Sequence, residues 1–135
     1  MNVIVDTCVW SLAFKKEDKR NKKYVDELRA LIDEGRVAML GPIKQEILSA
    51  YKDKKKFNKV NSILENFECE TIVDTDYVNA ASQFCICRGK GIQATHVDVL
   101  ICAISIRTGC QIFTLDKDFG HYRKCLPIDL YDVRG

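Results

Sequence analysis

The chain has 135 residues, of which 47% are apolar and 30% charged, and a formal net charge of +2. That balance fits one globular domain over residues 1–135 and excludes a disordered polyampholyte. No apolar run reaches the roughly 18 residues of a membrane span, so no membrane association is expected.

The opening MNVIVDTCVW reads as a first strand rather than a signal peptide, with Val3, Ile4 and Val5 stopped at Asp6. Tyr24, Val25, Leu28, Leu31 and Ile32 recur at helical spacing, and Gly35 is a C-terminal stop. Val37 to Leu40 reads as a second strand. Gly41-Pro42 then starts a helix with Ile43, Ile47, Leu48 and Tyr51 on one face. Residues 55–66 read as another helix. Thr71-Ile72-Val73 reads as a third strand, and Tyr77, Ala80, Ala81 and Phe84 mark the helix after it. RGKGIQAT at 88–95 is a glycine-bearing loop. Val97 to Ile106 is apolar nearly all round, which predicts a central, buried helix ended by Gly109. Gln111 to Leu115 reads as a fourth strand, LDKDFG as a turn, and Ile128 to Tyr131 as a fifth, peripheral strand.

Strands alternating with helices predict parallel pairing through right-handed crossovers, with helices on both faces of the sheet. Ligands of such sheets bind beyond the carboxyl ends of the strands. The acids can be placed on that frame. Asp6 ends strand one, Asp116 follows strand four, and Glu46 lies in the helix after strand two. Asp98 lies in the first turn of the buried helix, with Thr95 as its cap. It joins the others if that helix begins at the carboxyl edge. Asp118, two residues beyond Asp116, joins or flanks the group.

Carboxylates gathered in one cleft repel unless a divalent cation lies between them. Hard cations such as Mg²⁺ or Mn²⁺ take oxygen ligands, and no His/Cys set competes for zinc. Cys85 and Cys87 sit one residue apart on a helix and point in different directions. The seven cysteines are an odd count without a repeated spacing, which reads as reduced thiols in the cytoplasm. Cys8, Cys102 and Cys110 read as small core residues. Residues 15–59 hold fourteen Lys/Arg against eight Asp/Glu. Their two basic runs are either solvated faces or a phosphate-attracting rim around the acidic cleft. Carboxylate-held metal beside such a rim suggests phosphodiester hydrolysis.

At this point VDTCVW at 5–10, KQEIL at 44–48, HVDVLICA at 96–103 and FTLDKDF at 113–119 resemble the four acidic motifs of PIN-domain ribonucleases. The resemblance covers nearly the whole chain, whose length and motif order are similar to VapC-type toxins of toxin–antitoxin pairs. It implies a three-layer α/β/α sandwich with a central, mostly parallel sheet. It also implies a Mg²⁺- or Mn²⁺-dependent endoribonuclease acting on RNA, with a cognate antitoxin and a homodimeric state. Asp6, Glu46, Asp98 and Asp116 match the acidic quartet, and Asp118 matches a further acid of many members. Thr7 and Thr114 match hydroxyl residues beside the first and fourth acids, where they orient carboxylates or water. Cys8 stands where a serine or asparagine is common.

His96 is either a donor to phosphate or a local hydrogen-bonding residue. Trp10 and Phe14 serve either core packing or base stacking. Other functions remain open on the sequence. They are an RNA-maturation nuclease, an RNA-binding module without catalysis, and an aspartyl-phosphate phosphatase using Asp6. Cys8 argues against the last, which carries a DxD pattern.

Overall fold

The computed structural model describes residues 1–135. A parallel three-stranded sheet forms its centre, in the order β2-β1-β3. β1 (Val3–Val5) pairs with β2 (Val37–Ala38), Val3 opposite Val37, and with β3 (Gln111–Phe113), Ile4 opposite Ile112. All three residues of β1 are fully buried, which is why this strand is continuously apolar rather than alternating. Val3, Ile4 and Val5 belong to a core of 25 buried residues that reaches from Val9 and Trp10 to Leu126 and Ile128.

The helices are α1 (Thr7–Phe14), α2 (Lys22–Asp33), α3 (Gly41–Ser49), α4 (Lys54–Leu64), α5 (Asp74–Gly89), α6 (His96–Thr108) and α7 (Asp118–Tyr122). The chain steps from β1 to β2 through α1 and α2. It then crosses back over β1 to β3 through α3 to α6. Two right-handed crossovers in opposite directions place their helices on opposite faces of the sheet. The result is the expected α/β/α sandwich. No helix is long and apolar enough to cross a membrane.

Local chemistry explains the boundaries. Asp6 caps α1 by accepting from the Thr7 amide. Gly35, at φ 67°, turns the chain after α2. Pro42 sits in the first turn of α3, where its missing N–H costs nothing. Thr95 caps α6 through the Asp98 amide, and Gly109, at φ 74°, ends it. Within α6, Val99 and Ile101 to Ser105 are buried, while Val97 and Ile106 at its flanks stay about one-third exposed.

In four places the structure departs from the pattern expected of the sequence. Thr71 to Val73 is not a strand. Pairing occurs just before it, as a single parallel bridge from Met39 to Cys69. The Arg107 guanidinium holds the Thr71 carbonyl at 3.0 Å, and Val73 N–H donates to Asp76, so this segment serves as the lead-in to α5. Ile128 to Tyr131 likewise keeps only the bridge Ile112 to Leu130. Both segments are outermost and have one neighbour each. The stretch after Phe113 turns only briefly before α7 begins at Asp118. Finally, α5 extends through Arg88 and Gly89, and the loop starts at residue 90. The helix α1 was also not foreseen: its apolar TCVWSLAF shows little amphipathic contrast.

All seven cysteines are free thiols. Cys102 and Cys110 are buried, as expected of small core residues. Trp10 and Phe14 are part of the protein's own packing. Trp10 is 2% exposed, stacks on Phe14 and meets Phe67 edge-on at 5.2 Å.

Candidate metal centre at the carboxyl edge of the sheet

The carboxyl ends of β1 and β3 deliver Asp6 and Asp116 to the same edge. The sheet ladder continues one residue past β1, where the Asp6 amide donates to the Phe113 carbonyl at 2.9 Å. Asp6 is buried and heavily hydrogen-bonded. It accepts from the Thr7 amide (2.8 Å), the Thr114 hydroxyl (2.8 Å) and, more loosely, the Cys8 thiol (3.6 Å). Thr114 in turn accepts from the Asp116 amide at 3.0 Å. One hydroxyl therefore links the first and fourth acids. Asp116 Oδ1 accepts from the Asp118 amide at 2.9 Å, which turns the chain into α7.

α6 begins at this edge, so Asp98 arrives beside Asp116. Oxygen atoms of Asp98, Asp116 and Asp118 all lie within 4.8 Å of one another. Asp118 thus stands within the group rather than outside it. Glu46 is exposed on α3, outside that triangle, and makes no hydrogen bond; its charge nevertheless acts on Asp6. Asp98 Oδ2 accepts from the hydroxyl of Tyr122 at 2.7 Å.

Burial pushes the Asp6 carboxyl above its ordinary range. Its hydrogen bonds from Thr114, Thr7 and Cys8 work against that, and the charge of Glu46 adds to it. Asp98 is likewise raised, first by burial and further by the charges of Asp6 and Asp116, against the hydrogen bonds from Tyr122 and Thr95. These acids share one field. The donor set consists of carboxylate oxygens alone, close enough to repel one another, and that suits a hard divalent cation.

Cys8 is half-buried and packs on the core, yet it is not only a core residue. Its sulfur touches Asp6 and Thr114 and accepts from the Leu115 amide at 3.3 Å. Burial raises its thiol, which keeps it protonated and chemically quiet. The side chain of Thr7 has a different surrounding: its hydroxyl is buried without a hydrogen-bond partner, and only its amide reaches Asp6. His96 stacks on Phe84 at 4.6 Å and has no hydrogen bond to the acids. The structure adds Tyr122 to the site. Its signal was the four-residue spacing from Asp118 to Tyr122, one helical turn, in a stretch read as a turn.

The first basic run lines a groove of its own. Lys15, Lys16, Lys19, Lys22 and Arg29 line a groove of about 480 Å³ between α1 and α2, together with Glu17, Asp18 and Asp26 but with none of the acids of the pocket. That groove begins at Leu12 of α1, six residues and about 9 Å of helix from Asp6. The second run is exposed along α4.

Fold and site together define a small parallel α/β domain with an oxygen-donor pocket at the carboxyl edge of its sheet. The PIN-domain model matches residues 3–124, and the chain belongs to the PIN-domain family. It is 29% identical over 121 residues to VapC ribonuclease Mb1587 of Mycobacterium bovis, covering 87% of this chain and 88% of that protein. Ribonuclease VapC11 of Mycobacterium tuberculosis matches with the same identity and coverage. Among solved structures, FitAcB from Neisseria gonorrhoeae superposes with a TM-score of 0.77 at 19% identity, covering 96% of each chain. VapBC2 from Rickettsia felis, bound to a promoter DNA fragment, gives a TM-score of 0.77 at 17% identity, covering 97% of this chain and 98% of that one. At these identities the two structures speak for the fold.

Proposed function

We propose that this chain is a Mg²⁺- or Mn²⁺-dependent endoribonuclease and the toxin of a VapBC-type toxin–antitoxin pair. One observation carries the chemistry: the carboxylates of Asp98, Asp116 and Asp118 converge within 4.8 Å, beside buried Asp6, at the edge where parallel α/β sheets bind ligands. The biological half rests on the relatives, which are named as VapC ribonucleases, and on the VapBC and FitAB assemblies that share the fold.

In this reading Asp6, Asp98, Asp116 and Asp118 hold the cation, and exposed Glu46 adds its charge to their field. A bound divalent cation would neutralise the carboxylates, attract a substrate phosphate and render a water molecule nucleophilic near neutral pH. The chain's own residues do the remaining work. Thr114 fixes the relative position of Asp6 and Asp116. The Asp118 amide fixes the Asp116 carboxylate, and Thr95 fixes the start of α6. In-line attack on phosphorus would leave a 5′-phosphate and a 3′-hydroxyl.

The partners that go with this reading are an RNA substrate, a cognate antitoxin and a second copy of the chain. An antitoxin would silence the enzyme by presenting a basic side chain to the acids. The test is cleavage of a defined RNA set with Mg²⁺, Mn²⁺ or a chelator, with mapping of the product ends, alongside Asp116→Asn. Cleavage that persists in chelator, or in folded Asp116→Asn, removes the metal-centre assignment. Normal growth of cells expressing the chain without its antitoxin removes the toxin assignment and leaves the nuclease chemistry standing.

A further inference from the structure

We propose that Tyr122 is a positioning residue of the acidic pocket, which fixes the Asp98 carboxylate for cation binding. The inference rests on the metal-centre reading above and deepens it.

Tyr122 is 1% exposed, and its ring lies edge-on to fully buried Phe119 at 5.2 Å. Both ring and backbone are therefore fixed by the core. Its hydroxyl donates to Asp98 Oδ2 at 2.7 Å, a short bond of the charge-assisted kind. The donor comes from α7 and the acceptor from α6, 24 positions apart. Asp98 is held from a second side as well, since its amide is bound by the cap Thr95. A carboxylate has two oxygens and turns freely about its last bond. With Oδ2 engaged by a rigid phenol, that rotation stops, and Oδ1 keeps its full set of lone pairs for a cation.

α7 has a further property that suits this role. Asp118 opens the helix and Tyr122 follows four residues later, so both fall on one face. The same short helix thus contributes one acid of the converging set and the clamp on another. Rotating α7 would move both at once. The hydrogen bond alone has a simpler use, which is to satisfy a buried phenol. The two uses differ in what the removal of one oxygen atom does to cation affinity.

The experiment is Mn²⁺ titration of the purified protein by calorimetry and by electron paramagnetic resonance, for wild type, Tyr122→Phe and Asp98→Asn. Circular dichroism and thermal melting of each without added metal accompany it. Phenylalanine keeps the ring packing and removes only the donor. A positioning role predicts Mn²⁺ affinity about 10-fold or more weaker in Tyr122→Phe, an altered Mn²⁺ spectrum, and a lower kcat at unchanged KM for RNA. Equal Mn²⁺ affinity and spectrum in wild type and Tyr122→Phe overturn the positioning role, whatever the melting temperature does. Absence of Mn²⁺ binding to wild type overturns the metal centre, and this proposal with it. Should Tyr122→Phe fail to fold, Tyr122→4-fluorophenylalanine fills the hydroxyl's place and removes the donor. Unchanged Mn²⁺ affinity in that protein likewise overturns the proposal.

Discussion

The Thr114 hydroxyl donates to Asp6 Oδ2 at 2.8 Å and accepts from the Asp116 amide at 3.0 Å, so a single side chain couples acids from two parallel strands. Thr114→Val keeps the shape and removes the coupling. Cleavage should fall by about 10–100-fold, with a stability loss of about 1 kcal/mol. Single-turnover cleavage and urea unfolding measure the two effects. Wild-type rates in the valine variant would show that the acids need no such link.

Asp98→Asn should separate function from stability. Burial and the neighbouring acids raise the Asp98 carboxyl, so its ionised form works against the fold. For such a group, stability is present at low pH and lost as pH rises through the folded pKa. Removing the charge should therefore leave melting of the cation-free protein at neutral pH unchanged or higher. Cleavage should vanish, and the rise in melting temperature on adding Mn²⁺ should shrink. A large drop in Tm without cation would contradict this assignment of the charge.

Two acids far from the pocket carry the opposite sign. The Arg107 guanidinium, donating twice to fully buried Asp76 (2.7 and 2.9 Å), holds that carboxyl below its usual range. Arg134 does the same for Glu27, by side-chain bonds first and a backbone bond besides. Their folded pKa values lie below the unfolded ones. The stabilisation is thus complete above the unfolded pKa and is lost as pH falls through the folded one, below about pH 4. Urea midpoints should decline across that window for wild type and decline less for Asp76→Asn, which should also be the less stable protein at pH 7. Parallel pH profiles would remove Asp76 from the acid transition.

Gly109→Ala tests the stop of the buried helix. Gly109 has φ 74°, and its amide closes α6 on the Ser105 carbonyl. Nothing lies within 4 Å of an added Cβ, so the cost is conformational alone, about 1–2 kcal/mol. Urea unfolding reads it. A cost near zero would mean that the helix end shifts to accommodate the methyl.

Much of this arrangement is legible in the chain. β1, α2, α3 and α6 announce themselves through apolar runs, helical periodicity, Pro42, Gly35 and Gly109, because each of those signals is local. Asp6 and Asp116 fall at one edge as soon as the strands are parallel. What stayed hidden depends on distant partners. Thr71 to Val73 has the composition of a strand, but Arg107 claims its first carbonyl and α5 its last amide. α1 has no amphipathic stripe because two of its eight residues are buried and the other six half-buried, with none exposed, so its period does not show. Tyr122 escaped because its role exists only once α7 and α6 are adjacent. The facing of the lysine runs is hidden likewise, because charge along the chain says nothing of the direction in which it points.

The middle strand of the sheet is also the earliest one made. As the polypeptide emerges from the ribosome, β1 and its acid wait for β3 to arrive before their second flank is covered. Core and pocket thus both depend on residues that follow position 110. A chain stalled or cut before residue 111 has neither, and whatever this pocket does, a fragment cannot do it in part.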